Sequence, residues 1–155
     1  MSLRALKALS LGLLISFCGL TNADTFYLGA LHEVIYYEAR GDGTESMVAV
    51  AQVVLNRVNH RKFPNSISEV RSQRKQFSYF NEVPFRRTMK EKDAAINALL
   101  IAVGVYSGIY RDQRFNNSIM YHVCEGKRKV KPRWHWWKLK FDGKAGTHCF
   151  YSYKE

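Results

Sequence analysis

The feature that most constrains the fold is an amphipathic segment between residues 45 and 59. Apolar side chains recur there at intervals of three and four residues, at Met47, Val50, Ala51, Val54, Leu55 and Val58. That spacing is typical of a helix with one buried face. We expect it to be the central core helix, with Thr44 as its N-cap.

Three more helices are predicted from apolar spacing and capping residues. They cover about residues 26–40, about residues 67–72, and a third stretch that ends near residue 107. Ser66 and Glu69 form a capping box for the short middle helix. Thr88 and Glu91 form a second capping box ahead of the last one. Residues 73–87 show no period and are predicted to be a long loop.

The C-terminal third has a different pattern. Residues 119–123 and 147–151 are rich in β-branched and aromatic side chains and are predicted to be two short strands. A basic segment with Trp134, Trp136 and Trp137 lies between them. The sequence therefore predicts one α+β domain, mostly helical, with a small antiparallel sheet at its C-terminal end.

Length and charge limit the possible functions without selecting one. The chain has 155 residues and a formal net charge of +11. That length fits a single domain with a real core, and that charge favours anionic partners. Nucleic acid, an acidic membrane surface and an anionic wall polymer all remain open. The sequence contains no Gly-rich phosphate loop, nucleophile elbow or HExxH motif, which weakens nucleotide, esterase and zincin chemistry.

The N-terminus predicts export. Arg4 and Lys7 precede an apolar run over residues 8–20, and the small residues of Thr21-Asn22-Ala23 follow it. This order is typical of a secretory signal peptide, here residues 1–23, followed by a single domain over 24–155. Thirteen helical residues reach about 20 Å, short of the roughly 30 Å that a membrane span needs. We expect a periplasmic or extracellular protein; an uncleaved signal anchor that tethers it to the membrane is the alternative.

Export affects the interpretation of the cysteines. Cys124 and Cys149 remain after the leader, and in an oxidising compartment such a pair favours a disulfide. The alternative is a zinc site that also uses His122 and His148. Adjacent residues of a strand point to opposite faces, so His148 and Cys149 would converge poorly on one ion. The sequence favours the disulfide and no metal.

Glu38 is the leading catalytic candidate. It shares the apolar stripe of the first helix and lies in its last turn, where the helix dipole is negative. Both effects are expected to raise its pKa, as a general acid for glycosidic cleavage requires. The alternative is a structural ion pair of Glu38 with Arg40 or another base that only stabilises the helix end. Asp42 and Glu45 follow closely and could supply a second carboxylate, although a turn residue and a helix-start charge explain them more simply.

Two further groups of residues could bind a ligand. His122 and His148 lie on the predicted strands and could line a cleft, although strand histidines are often structural. The basic segment around Trp134 could stack on nucleic-acid bases or on sugar rings. Its alternative is a solvated loop whose tryptophans pack into the core.

Ordered sequence blocks then resemble a known family. They read YYEARGD at 36–42, VAVAQVVLNRV at 48–58, FPNSI at 63–67, QFS at 76–78, YH at 121–122, Pro132 with Trp134, and GTHCFY at 146–151. Together they resemble the SleB-type cell wall hydrolases, which include spore-cortex-lytic enzymes and related wall lysins. The resemblance covers almost all of the chain from about residue 28 to residue 151.

The resemblance implies a lysozyme-like or transglycosylase-like domain that cleaves the glycan strand of peptidoglycan. The catalytic glutamate of the EARG block falls on Glu38. The blocks also imply substrate contacts at Tyr36, Gln76, Phe77, Ser78, Tyr121, His122, Trp134 and His148. No cofactor, no metal and no nucleic acid are expected. The implied partner of this monomeric enzyme is peptidoglycan, together with anionic wall polymers.

Overall fold

The central helix forms where the apolar spacing predicts it. The structure is a computed structural model that describes residues 22–74, 76–77, 89–126 and 132–154. Its helices are α1 (Asn22–Ala39), α2 (Gly43–Val58), α3 (Ile67–Ser72) and α4 (Lys92–Tyr106). Its strands are β1 (Met120–Val123), β2 (Leu139–Ala145) and β3 (His148–Tyr153).

The core lies between α2 and the helices around it. Met47, Val50 and Val54 of α2 are at most 2% exposed and belong to one buried apolar cluster. α1 and α4 pack against α2 and against each other, and α3 packs on α1 and α2. Burial of this stripe supplies most of the driving force for the helical part, at about 25 cal/mol for each Å² of apolar surface.

Two predicted helix caps differ from the structure. Asp42, not Thr44, is the N-cap of α2, and its carboxylate makes no capping bond because it bonds the C-terminal sheet instead. The N-cap of α4 is Glu91; Thr88 lies outside the described residues. Ser66 is confirmed as the N-cap of α3, since its Oγ accepts from the Glu69 backbone nitrogen at 3.3 Å, and the Glu69 carboxylate accepts from the Ser66 hydroxyl at 2.8 Å.

The sheet contains a third strand that the sequence did not indicate. The strand order is β1-β3-β2 and both pairings are antiparallel. β2 is an edge strand whose sequence, LKFDGKA, alternates poorly, and its register shifts between Phe141 and Gly143. An edge strand needs little burial, so its charged and glycine residues obscured the period-two pattern. The predicted class, α+β and mostly helical with a small antiparallel sheet, is confirmed.

The register assigns the strand residues to two faces. Tyr121 pairs with Phe150, while His122 pairs with Cys149. Directly opposed residues share a face and successive residues alternate. Tyr121 and His148 therefore lie on the face toward the helices, whereas His122 and Tyr151 lie on the outer face.

The two cysteines form the predicted disulfide. Cys124 follows β1 directly and bonds Cys149 on β3, with their Cα atoms 5.7 Å apart. The zinc alternative is therefore wrong for these two residues, because both sulfurs are consumed by the bond. In the part of the chain that the structure describes, no group of three or more His, Cys, Asp or Glu side chains could hold a metal.

The first residues of α1 overlap the end of the predicted signal peptide. α1 starts at Asn22, so this helix runs across the predicted cleavage position after Ala23. The apolar run at 8–20 lies outside the described residues. None of the helices within the described ranges is long and apolar enough to cross a membrane.

Loss of the disulfide should destabilise the fold. Cys124 and Cys149 are 25 residues apart in sequence, so their bond should contribute about 3–4 kcal/mol by loop entropy. We expect the double variant Cys124→Ser/Cys149→Ser to lose that much in urea unfolding. Reductant should lower the wild-type stability to the same level and leave the variant unchanged. A wild type indifferent to reductant would contradict the prediction.

Candidate active site

Glu38 projects into a cleft between the helices and the sheet. It lies one residue before the end of α1 and is half-buried. The cleft has a volume of about 410 Å³, and its walls come from the α1–α2 corner, Glu91, the end of β1 and the start of β3. Tyr121 Oη donates to Glu38 Oε2 at 3.2 Å from the inner face of the sheet. The sheet thus supplies a neutral donor to the helical carboxylate.

A buried arginine lies behind this pair. Arg57 of α2 is 3% exposed, and its Nε donates to the Ile119 carbonyl at 2.7 Å. Burial lowers the pKa of Arg57 from its usual value, whereas interactions with Tyr121 and Glu38 act in the opposite direction. Because opposite charges attract, this guanidinium favours the ionised form of Glu38.

A second polar cluster joins the start of β3 to the start of α2. Thr147 Oγ1 donates to Asp42 Oδ1 at 2.9 Å. His148 Nδ1 lies 3.2 Å from Asp42 Oδ2 and 3.2 Å from Ser46 Oγ. Asp42 and Ser46 approach the same nitrogen, whereas a Ser-His-Asp triad needs one on each imidazole nitrogen. The cluster is therefore a structural junction, not a nucleophilic triad.

His148 is held in the neutral form by this position. Its side chain is 3% exposed. Burial lowers the pKa of His148 below its ordinary value; Asp42 acts to raise it, and His122 acts in the same direction as burial. Neutral imidazole packs against the Tyr121 ring at a centroid distance of 5.4 Å. His148 therefore helps to fix the ring whose hydroxyl reaches Glu38.

The other acidic side chains near Glu38 bond basic groups. Glu91 accepts from Arg40 Nε at 2.9 Å, and Glu125 pairs with Lys144. Arg40, the alternative partner expected for Glu38, thus has an ion pair with Glu91. Glu45, the other possible second carboxylate, pairs with Arg114 and does not line the cleft. Asp42 does line it, but it bonds Thr147 and His148.

Of the four predicted substrate contacts in the helical part, two are buried, one is exposed and one lies outside the described residues. Tyr36 is 2% exposed, and its hydroxyl accepts from the Glu91 backbone nitrogen at 3.1 Å. It therefore helps to position Glu91, which lines the cleft, from the core side. Phe77 is fully buried and lies under Arg57, at 5.6 Å from ring centroid to guanidinium carbon. Gln76 is exposed, and Ser78 lies outside the described residues.

The predicted contacts on the sheet divide between its two faces. Tyr121 and His148 belong to the inner face beside Glu38. His122 lies on the outer face, where it stacks on Tyr151 and packs edge-on against Trp134. His122 Nε2 is also 3.2 Å from Tyr151 Oη. The structure therefore brings Glu38, Tyr121 and His148 together and keeps His122 and Trp134 apart from them.

Three residues at the site had no role in the sequence analysis. Arg57 belongs to the NRV stretch of α2, and a buried arginine in an otherwise apolar stripe is a usable signal for it. Thr147 and Ser46 carry no such signal. Their roles depend on contacts between residues about 100 apart in sequence. Thr147 bonds Asp42, and Ser46 bonds His148.

The buried imidazole makes stability depend on pH. A histidine whose pKa is lowered by folding binds fewer protons in the folded state than in the unfolded one. The free energy of unfolding should therefore fall as the pH drops below about 6.5, the ordinary histidine value. Urea unfolding from pH 7.5 to 5.0 measures this slope. His148→Gln should reduce it, whereas His135→Gln, at an exposed position, should not; equal slopes in all three proteins would contradict the assignment.

Comparisons with known proteins identify the family of this chain. The sequence profile of a family described as Cell Wall Hydrolase matches residues 41–151, beginning three residues after Glu38. The spore cortex-lytic enzyme of Bacillus subtilis (strain 168) is 44% identical over 52 residues, which are 34% of this chain and 16% of that protein. The aligned part is thus a small share of that relative.

Two solved structures share the fold. The crystal structure of the catalytic domain of the Bacillus cereus SleB protein matches with a TM-score of 0.61 and 27% identity, over 85% of this chain and 91% of that one. The catalytic domain of the germination-specific lytic transglycosylase SleB from Bacillus anthracis matches with a TM-score of 0.58 and 25% identity, over 85% and 96% of the two chains. The resemblance to SleB-type hydrolases is confirmed. Because the family profile covers most of its length, this chain belongs to the cell wall hydrolase family and is an enzyme.

Proposed function

We propose that this enzyme cleaves the glycan strand of peptidoglycan as a lytic transglycosylase, with Glu38 as its catalytic carboxyl. The observation that carries the proposal is the position of Glu38 in the cleft between the helices and the sheet. Its carboxylate accepts the Tyr121 hydroxyl at 3.2 Å, and the buried Arg57 guanidinium interacts with both residues. The Bacillus anthracis catalytic domain is that of a germination-specific lytic transglycosylase, which supports the same class of reaction.

The proposed cleavage uses one carboxyl in two protonation states. Protonated Glu38 donates its proton to the oxygen that joins N-acetylmuramic acid to N-acetylglucosamine, and the glycosidic bond breaks. The oxocarbenium-like centre at the muramic anomeric carbon is stabilised by the neighbouring acetamido group. Ionised Glu38 then takes the proton of the C6 hydroxyl, whose oxygen closes a 1,6-anhydro ring. The carboxyl regains its proton and no water is consumed.

The surroundings of Glu38 suit this exchange. The apolar side of α1 favours the protonated form, while Tyr121 Oη and the Arg57 guanidinium favour the ionised form. A group that acts first as an acid and then as a base must adopt both its protonated and its ionised form during one reaction cycle. The environment supplies opposing influences of this kind around a single carboxyl.

A muramidase is the second candidate because Asp42 lines the same cleft. In that reaction a second carboxylate would assist a water, and Asp42 would have to leave its bonds with Thr147 and His148. An amidase that cuts the stem peptide and a basic module that binds the wall or nucleic acid without catalysis are weaker alternatives. Loss of activity with a chelator would indicate an amidase. Retention on the wall without product release would indicate a binding module.

The proposed setting follows from the substrate. Peptidoglycan lies outside the cytoplasmic membrane, so the enzyme is exported to the periplasm or beyond. Residues 1–23 act as the signal peptide or, if uncleaved, as an anchor, and residues 24–155 form one catalytic domain. The enzyme acts as a monomer on peptidoglycan and needs no cofactor.

Substitution of Glu38 tests the catalytic assignment. Glu38→Gln keeps the size of the side chain but cannot donate or accept the proton, so release of soluble glycan fragments should fall by about 100-fold or more. Circular dichroism and wall binding should be unchanged. Glu45→Gln is the matched control, since Glu45 pairs with Arg114 outside the cleft. A Glu38→Gln protein that still digests peptidoglycan would refute the assignment.

Substitution of Tyr121 tests the hydroxyl donor. Tyr121→Phe retains the ring that stacks on Phe150, with centroids 5.7 Å apart, but removes the bond to Glu38. We expect turnover to fall about 10- to 100-fold, the usual range for a hydrogen bond to a charged group. The basic limb of the pH–rate profile should move to higher pH, because the ionised carboxylate loses a donor. An unchanged rate and profile would show that Tyr121 has only a packing role.

A further inference from the structure

A second groove lies at the opposite end of α2 and β3 from Glu38. This basic groove has a volume of about 1070 Å³. Its walls include the cationic side chains of Arg61, Lys62, Arg111, Lys140 and Lys154. Among the described residues that line it, none is acidic. The Asp142 carboxylate accepts from Ser152 of the wall and from Ser118.

The groove is remote from the catalytic cleft. The cleft lies at the first residues of α2 and β3, whereas the groove lies at the last residues of both. Sixteen helical residues span about 24 Å and six strand residues about 20 Å. The two sites are therefore roughly 20 Å apart, so a ligand that occupies both must be a polymer.

Several polar side chains of the groove are positioned by contacts within it. Arg111 Nε donates to Asn116 Oδ1 at 2.7 Å, which orients the guanidinium. The ammonium of Lys62 lies 4.0 Å from the centroid of the Tyr153 ring. Fixed cations lose less conformational entropy when a ligand binds.

The groove mixes cations with amides. Asn59 and Asn117 are exposed in its wall beside the lysines and arginines. Lys and Arg attract carboxylates, and amide side chains both donate to and accept from peptide and acetamido groups. This combination suits a polymer that carries carboxylates together with amides better than one that carries only phosphates.

We propose that the basic groove binds the carboxylate-bearing stem peptides of peptidoglycan, away from the bond that is cleaved. The proposal rests on the proposed function, because it takes the polymer in the groove to be the one cut at Glu38. Two contacts on one polymer strengthen binding to an intact wall and leave binding of short soluble fragments unaffected. The groove thus selects assembled wall over fragments.

The test is a binding assay in a background that does not digest the wall. Glu38→Gln protein is sedimented with purified peptidoglycan sacculi from which phosphate-bearing polymers have been removed. The groove variant adds Arg61→Gln and Lys140→Gln. The control variant adds Arg74→Gln and Lys92→Gln, which remove the same charge at exposed positions outside the groove. Thermal unfolding verifies that all three proteins are folded.

The expected result distinguishes an effect of the groove residues from an effect of the net charge of the protein. Two lost charge contacts should weaken sedimentation about three- to tenfold for the groove variant, and the control should stay within about twofold of the parent. Amidation of the wall carboxylates should remove the difference between the two variants. Equal losses in both variants, or no loss in the groove variant, would overturn the proposal.

Two further measurements test whether the groove binds phosphate polymers and whether the wild-type protein cleaves glycan. If the groove variant loses binding to teichoic acid or duplex DNA but not to the stripped sacculi, the groove binds phosphate and the proposal is wrong. The assay reads binding only, so it does not depend on the cleavage reaction. A wild-type protein that releases no glycan fragments would refute the proposed function, while a groove-specific loss on sacculi would still support the docking site.

Discussion

The site depends on the junction between the sheet and the first residues of α2. Asp42 receives the Thr147 hydroxyl at 2.9 Å and lies 3.2 Å from the His148 imidazole. Gly146 makes this approach possible. Its φ is +56°, and a Cβ atom there would lie 2.6 Å from the Asp42 carbonyl oxygen. Because β1 pairs with β3, the same junction places Tyr121 against Glu38. The turn, the buried histidine and the Glu38 carboxyl are thus held in one connected set of contacts, and the disulfide to Cys149 links the end of β1 to it.

The chemistry of the cleft follows from how this unit distributes charge. The sheet brings a hydroxyl to Glu38, and α2 brings a guanidinium that is 3% exposed. Glu91 and Glu125 pair with basic side chains, and Asp42 bonds Thr147 and His148. Glu38, with the Tyr121 hydroxyl and the Arg57 guanidinium beside it, is the carboxyl that we propose for a single-carboxyl cleavage. The basic groove at the far end of α2 and β3 adds affinity for the polymer without entering the reaction.

The sequence predicts the helical part well because burial and local capping determine it. The stripe of α2 and the Ser66 cap of α3 depend on neighbours within one or two turns, and both form. β2 was missed because an edge strand can carry lysine, aspartate and glycine without a clear alternation. The local pattern predicts Thr44 as the cap of α2 and Asp42, between two glycines, as a turn residue. That Asp42 is the N-cap and bonds Thr147, 105 residues away, is seen only in the folded structure. Glu38 could be proposed from its helix, and the apolar stripe around Arg57 is a usable signal for that residue, whereas the roles of Ser46 and Thr147 are seen only when the sheet is packed in place.

Mass spectrometry of the soluble products tests the central claim most directly. Purified protein comprising residues 24–155 would digest isolated peptidoglycan, and the released muropeptides would be weighed before and after borohydride treatment. Closure of the 1,6-anhydro ring predicts products that resist reduction and are lighter by one water, about 18 Da, than their hydrolysed counterparts. Reducible muropeptides of the heavier mass would contradict the single-carboxyl mechanism and direct attention to Asp42 as the residue that activates water.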